Sequence, residues 1–148
     1  MISDEQQIAN LVYRYAELID TGDYEGLGAL FEHAVVTTDA SDDVRQGAAA
    51  MTAQMTQWTK KHPDGTPRTR HVTSNLIVDV DGDTATCRSY YTVFQQTDKI
   101  PLQPIISGRY HDEFRRIDGR WWFTKRHYIN ELFGNLSDHL LLDIPAQG

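Results

Sequence analysis

Arg70-His71-Val72-Thr73-Ser74-Asn75-Leu76-Ile77-Val78-Asp79-Val80-Asp81-Gly82 is where the chain changes its period. Before it, apolar residues recur at helical spacing; from Arg70 onward they alternate, as side chains do on the two faces of a strand. The stretch ends on Asp81-Gly82, a pair suited to the positive φ of a tight hairpin. A second such pair, Asp118-Gly119, closes another hairpin, so strands are expected over 70–80, 84–97, 104–117 and 120–132. His71 and Asn75 share one parity of the first strand, while Val72, Leu76, Val78 and Val80 share the other. A bulge would exchange the two, and the sequence leaves open which parity faces inward.

Upstream, Ser3-Asp4-Glu5-Gln6 has capping-box form, with Ser3 receiving a free amide and Gln6 reaching back. Ile8, Leu11, Val12, Tyr15, Leu18 and Ile19 then make one apolar helical stripe, which Gly22 stops. A short second helix is expected over 24–31, with Leu27, Leu30 and Phe31 inward, followed by a strand over 34–38. Ser41-Asp42-Asp43 reads as a polar turn. A third helix is expected over 48–58, on the spacing of Met51, Met55 and Trp58, and Pro63-Asp64-Gly65-Thr66-Pro67 ends it. Three helices before an antiparallel meander define an α+β chain with helices packed on a curved sheet. One domain over 1–136 with a C-terminal tail over 137–148 is the expected organisation.

The chain has 148 residues, 40% hydrophobic and 24% charged, which suits one folded domain with a core. A formal charge of −7 argues against nucleic acid and anionic membranes as partners. Arg115, Arg116, Arg120, Lys125 and Arg126 do cluster, but acids and aromatics interrupt them, as on a solvated sheet face. The single cysteine, Cys87, excludes an intramolecular disulfide and sits where a small buried side chain is expected. No run approaches the length of a membrane span and no leader pattern opens the chain, so a cytoplasmic protein is the default expectation.

Three residues suggest proton chemistry. Asp20 falls at a helix C-terminus, where the macrodipole disfavours a carboxylate and Glu17 and Asp23 add repulsion. Either it is a solvated helix end or it serves a partner elsewhere. His71 is either a backbone-bonded strand start or a general base, for which an imidazole suits neutral pH. Tyr15 lies in the apolar stripe, so its hydroxyl needs a buried partner or a substrate. Asn75 either contacts substrate or ties a loop. Trp58, Tyr91, Phe94, Tyr110 and Trp122 are candidates for an apolar pocket. His111, His127 and His139, with Asp112 and Glu113, lack any recognised metal-ligand spacing, and no metal or cofactor is expected.

The order Tyr15…Asp20, Gly22-Asp23-Tyr24, Gly47, Arg70-His71…Asn75, Gly108-Arg109-Tyr110-His111-Asp112 and Asp118-Gly119-Arg120-Trp121 resembles the SnoaL-like branch of the nuclear-transport-factor-2-like superfamily. That resemblance, over roughly residues 3–132, implies a cone of curved sheet closed by three N-terminal helices around a deep pocket. Within the branch the chain looks like the scytalone dehydratase, bile acid dehydratase and hexachlorocyclohexane dehydrochlorinase subgroup. It implies Asp20 and His71 as an acid–base dyad and Tyr15 as the helix tyrosine of the dehydratases. It further implies elimination or isomerisation on a hydrophobic cyclic substrate, without metal or organic cofactor, in a homo-oligomer, trimer or dimer. Aromatic residues on both faces of 120–132 give a separate reason for a covered outer face. Trp58, Asn75, Tyr91, Tyr110 and Arg126 are the expected substrate contacts, Arg126 by analogy with a basic residue on the last strand of the dehydrochlorinase. Val36, Thr37 and Thr38 stand where bile acid dehydratases carry a further tyrosine. The superfamily also holds non-catalytic members such as dioxygenase β subunits, so a binding or structural role is the alternative.

Overall fold

The computed structural model describes residues 1–141. The first helix, α1 (Asp4–Asp20), starts at Ser3, whose hydroxyl accepts from the Gln6 amide at 3.1 Å. Gln6 does not reach back to complete the expected capping box; its amide donates to Asn10 Oδ1 at 2.7 Å, one turn on. The stripe of α1 buries Ile8, Val12, Tyr15, Leu18 and Ile19. Each aliphatic member contributes about 1.5–3 kcal/mol over an exposed position. Next, α2 (Tyr24–Ala29) is capped by Asp23, which accepts from the Gly26 amide at 2.8 Å.

Then come β1 (Val35–Thr38), β2 (Ser41–Gln46) and α3 (Ala48–Trp58). The expected turn at Ser41-Asp42-Asp43 is therefore the start of a strand. As the exposed edge of the sheet, β2 carries Asp42, Asp43 and Arg45, charges that guard an unpaired edge and erase any alternation. The long strands β3 (Thr69–Asp81), β4 (Thr84–Gln95), β5 (Gln103–Ile117) and β6 (Arg120–Phe133) complete a six-stranded curved, unclosed sheet in the order β2-β1-β6-β5-β4-β3. All pairings are antiparallel except β1 with β6, which is parallel. This is the α+β architecture expected, with α1 packed against β3 and α2 against α3.

Two bulges set which side chains point inward. In β3 the register shifts between Ser74 and Ile77, where Asn75 takes a φ of 55°. Ahead of the bulge Thr69, His71 and Thr73 face inward and Val72 is exposed; after it Leu76, Val78 and Val80 face inward. Asn75 itself is exposed at the bulge, so the face it was expected to share with His71 does not exist. In β6 the register slips between the partners of Glu113 and Phe114, so Trp121 and Phe123 are inward before it and Arg126, Tyr128 and Asn130 after it.

Trp121 is buried, and its indole N–H donates to Asp4 Oδ1 at 3.1 Å. Trp122 faces outward but is flanked within its own chain by the Arg120 guanidinium at 4.1 Å and the His33 ring at 4.8 Å. Within the basic cluster, Arg116 pairs with Asp4 and Asp83 at 3.0 Å each, Lys125 with Glu113 at 3.8 Å and Arg126 with Asp112.

Beyond β6 the chain returns across the end of α3. The Lys60 amide donates to the His139 carbonyl at 2.8 Å, and the Lys60 ammonium meets Asp138 at 2.8 Å. The Leu141 amide donates to the Trp58 carbonyl at 2.9 Å. The first residues of the expected tail are thus packed, with Asp138 and His139 buried; 142–148 lie outside the described residues. Among the described residues no helix is long and apolar enough to cross a membrane.

Candidate functional site

The concave side of the sheet, α1, α3 and the returning C-terminal segment enclose a cavity of about 560 Å³. Its lining is mainly apolar, including Ile19, Met55, Trp58, Val93, Ile106 and Leu140. Such a volume and composition suit a small organic ligand. His71, Tyr15, Tyr91, Tyr110 and Trp58 all line it. Phe94 and Trp122 are not among the lining residues.

Asp20 explains its position at a helix end that disfavours it. Its carboxylate accepts three hydrogen bonds from the start of β3: the Thr69 hydroxyl at 2.8 Å, the His71 backbone amide at 2.8 Å and His71 Nδ1 at 2.6 Å. With Nδ1–H donating to Asp20, the imidazole is held in one tautomer, and among the described residues Nε2 has no hydrogen-bond partner. Both side chains are mostly buried, at 6% exposed for His71 and 13% for Asp20.

Tyr15 approaches from α1, its ring 6.4 Å from that of His71. Its hydroxyl lies 2.8 Å from that of Tyr128 on β6, forming a paired phenol. Burial raises the Tyr15 pKa, with nearby Arg126 opposing it, so the group remains a neutral donor at ordinary pH. Tyr110 stacks on Tyr91 with ring centroids 4.6 Å apart and 11° between planes.

Arg126 is a correction. It is fully buried and forms a two-point ion pair with Asp112 at 2.8 and 2.9 Å. Its guanidinium lies 3.7 Å over Tyr110 and 4.4 Å over Tyr15, behind rings that line the cavity, and it is not itself among the lining residues. Burial works against its charge, but Asp112 outweighs that and holds it protonated. Asn75 is a second correction: the bulge turns it out of the cavity wall.

Sequence reasoning missed Tyr128, Asn130, Asp39 and His139, all of which line the cavity. The β6 bulge hid the first two, because Tyr128 and Asn130 follow the parity of Arg126 rather than that of Trp121. His139 comes from the returning segment, its ring 6.5 Å from that of His71. Burial, with the neighbouring His71 adding, pushes its pKa down to about 3, so it is a neutral imidazole. His111 and His127 pair across β5 and β6 on the outer face, away from His139. Among the described residues no three His, Cys, Asp or Glu are grouped to hold a metal ion.

Residues 1–127 match the SnoaL-like domain family, and the chain belongs to it. Among solved structures, a variant of Rv3472 from Mycobacterium tuberculosis, a protein of unknown function, is 30% identical with a TM-score of 0.70, over 85% of this chain and 70% of that one. An NTF2-like protein with a cystatin-like fold from Novosphingobium aromaticivorans is 25% identical with a TM-score of 0.71, over 86% and 81%. A protein provisionally described as a scytalone dehydratase from the same organism is 24% identical with a TM-score of 0.68, over 86% and 83%. This last likeness is one of fold. No curated protein matches the sequence.

Proposed function

We infer that the chain is a cofactor-independent lyase, a dehydratase or related β-elimination enzyme, acting on a hydrophobic cyclic molecule; double-bond isomerisation would use the same groups. The observation that carries this is the Asp20 carboxylate gripping both the backbone amide and Nδ1 of His71 at the wall of an apolar cavity. A histidine needed only to begin a strand would use its backbone; here the ring is fixed as well and the other nitrogen is left unused.

In the proposed cycle, His71 Nε2 takes a proton from a carbon beside a carbonyl. Asp20 balances the imidazolium and keeps its orientation. The Tyr15–Tyr128 pair donates a hydrogen bond to the carbonyl oxygen as it gains enolate charge. The C–O bond to the β-hydroxyl then breaks, the electron pair of the enolate forms the carbon–carbon double bond, and the imidazolium proton leaves with the hydroxyl as water. Positioned general-base catalysis of this kind supplies about 10²–10⁴-fold.

The test is turnover by the purified chain alone of a panel of cyclic β-hydroxy ketones, read by the rising absorbance of the conjugated product. Turnover that disappears in His71→Ala supports the reading. No turnover, together with stable co-purification of a larger catalytic chain, would favour a non-catalytic subunit. A homo-oligomer, trimer or dimer, belongs to the same proposal: Val72, Ile77 and Tyr90 are exposed on the outer face, where a second copy would cover them. Light scattering that returns a monomer at micromolar concentration removes that part.

A further inference from the structure

The cavity has a second polar end. His71 stands on β3, at one edge of the sheet, whereas the exposed Asp39 lies at the cavity rim on the turn after β1, four strand spacings away. At about 4.8 Å per strand that is about 19 Å along the sheet surface, shortened across the cavity by curvature.

Four lining residues are linked there. The Tyr91 hydroxyl donates to Asn130 Oδ1 at 2.6 Å. The Asn130 side-chain amide donates to Asp39 Oδ1 at 2.9 Å and to the Thr38 hydroxyl at 3.3 Å. The Asn130 backbone amide meets both Asp39 oxygens at 3.2 Å. Tyr91 on β4 reaches Asn130 on β6 only because Gly108 on the intervening β5 has no side chain. A Cβ at Gly108 would stand 2.9 Å from Tyr91 Cε1 and 3.0 Å from its hydroxyl.

The direction of these bonds decides what the end can bind. Tyr91 gives its proton to Asn130, and Asn130 gives its protons to Asp39 and Thr38. Tyr91 and Asn130 have committed their donors, the Thr38 hydroxyl accepts from Asn130 and from the Ala40 amide, and the chain finishes on a carboxylate with lone pairs to spare. Among the described residues lining the cavity there is no Lys or Arg, and none pairs with Asp39. At that end the one charged group among these residues, Asp39, accepts hydrogen bonds and repels negative charge.

We propose that Asp39, held by Asn130 and Tyr91, forms a subsite for a hydroxyl group on an uncharged ring ligand and excludes ligands that carry a carboxylate or phosphate there. The subsite rests on the reading of the cavity as the site of a hydrophobic cyclic molecule and adds a second recognition point to it. Ligands with an oxygen function near His71 and Tyr15 and a hydroxyl at the opposite end of a fused ring system fit both.

Three fluorescent probes built on one ring system, each with the same group at both ends so that neither can turn a different group toward Asp39, test this: 2,6-dihydroxynaphthalene, 2,6-dimethoxynaphthalene (the methoxy compound) and naphthalene-2,6-dicarboxylate (the naphthoate), each titrated into the full chain. The diol should bind tightest, and the methoxy compound about tenfold more weakly, the usual cost of losing one hydrogen bond to a charged group. The naphthoate should bind weakest. In Asp39→Asn the diol should lose its advantage and the naphthoate its penalty; in Asp39→Lys the naphthoate should bind best. Equal binding of all three by the natural chain, binding of none, or an order that survives both substitutions would overturn the subsite. The order should persist in His71→Ala, because it needs no turnover. A chain that shows the order yet converts no β-hydroxy ketone keeps the subsite and loses the lyase reading.

Discussion

Two carboxylates in this molecule hold a nitrogen base at nearly the same distance, and they do opposite things. Asp20 meets His71 Nδ1 at 2.6 Å and Asp112 meets Arg126 Nε at 2.8 Å. The first pair sits in the cavity wall, leaving one imidazole nitrogen unused. The second is sealed behind Tyr15, Tyr110 and Phe123, with both partners fully buried. In the proposed cycle His71 exchanges a proton with a ligand, whereas Asp112 keeps the buried Arg126 charged and inside the scaffold. Distance alone does not separate a reactive pair from a scaffold; what separates them is which atom is left over and where it points.

The sharpest way to break this contrast is to remove one partner from each pair. Arg126→Met leaves the Asp112 carboxylate buried without a counter-ion, and denaturant unfolding should show a loss of about 3–5 kcal/mol. Arg126→Met combined with Asp112→Leu should recover most of that loss. If the single substitution is as stable as the natural chain, the sealed pair is not the scaffold described. His71→Ala should spare stability by comparison yet reduce turnover by about 10² or more. Asp20→Asn should also cost a large part of the rate, through the wrong tautomer and orientation, with the loss in kcat rather than in binding.

His139 sharpens the comparison through pH. Its pKa falls from the ordinary 6.5 to about 3 on folding, so between those values the unfolded chain binds the proton more readily. The resulting contribution is fully present above pH 6.5 and is lost as pH falls towards 3, with a slope of at most about 1.4 kcal/mol per pH unit. Stability measured from pH 7 to 4.5 should show a shallower acid decline in His139→Gln than in the natural chain. Parallel curves would show that His139 does not titrate on unfolding. The smallest expected effect is at Asn75, four residues from His71 but outside the cavity. Asn75→Ala should cost about 1 kcal/mol for its left-handed backbone and leave substrate affinity unchanged.

The fold was legible in the sequence where period and punctuation agree. The α1 stripe, the Asp-Gly hairpins and the order of the four long strands all rest on such agreement. It was illegible where function or edge protection overrides pattern: β2 looks like a turn because charge replaces alternation on both of its faces. The positions of Asp20 and His71 could be singled out because one is electrostatically misplaced on its helix and the other begins a strand. Tyr128 and Asn130 could not, because a bulge in β6 changes parity without leaving a glycine or proline to mark it. Arg126 faces inward but ends on Asp112 behind the aromatic wall, and the sequence marks a charge without saying whether its partner is a ligand or the protein.

The bulge at Asn75 acts on β3 as a frameshift acts on a coding sequence. The three residues before it that face inward are polar, with His71 lining the cavity and Thr69 bonded to Asp20, and the three after it bring aliphatic packing; one extra residue joins the two frames. Deleting that residue would leave His71 in phase and throw Leu76, Val78 and Val80 out to solvent. Chemistry and packing can therefore change independently along a single strand, provided the insertion that separates them is kept.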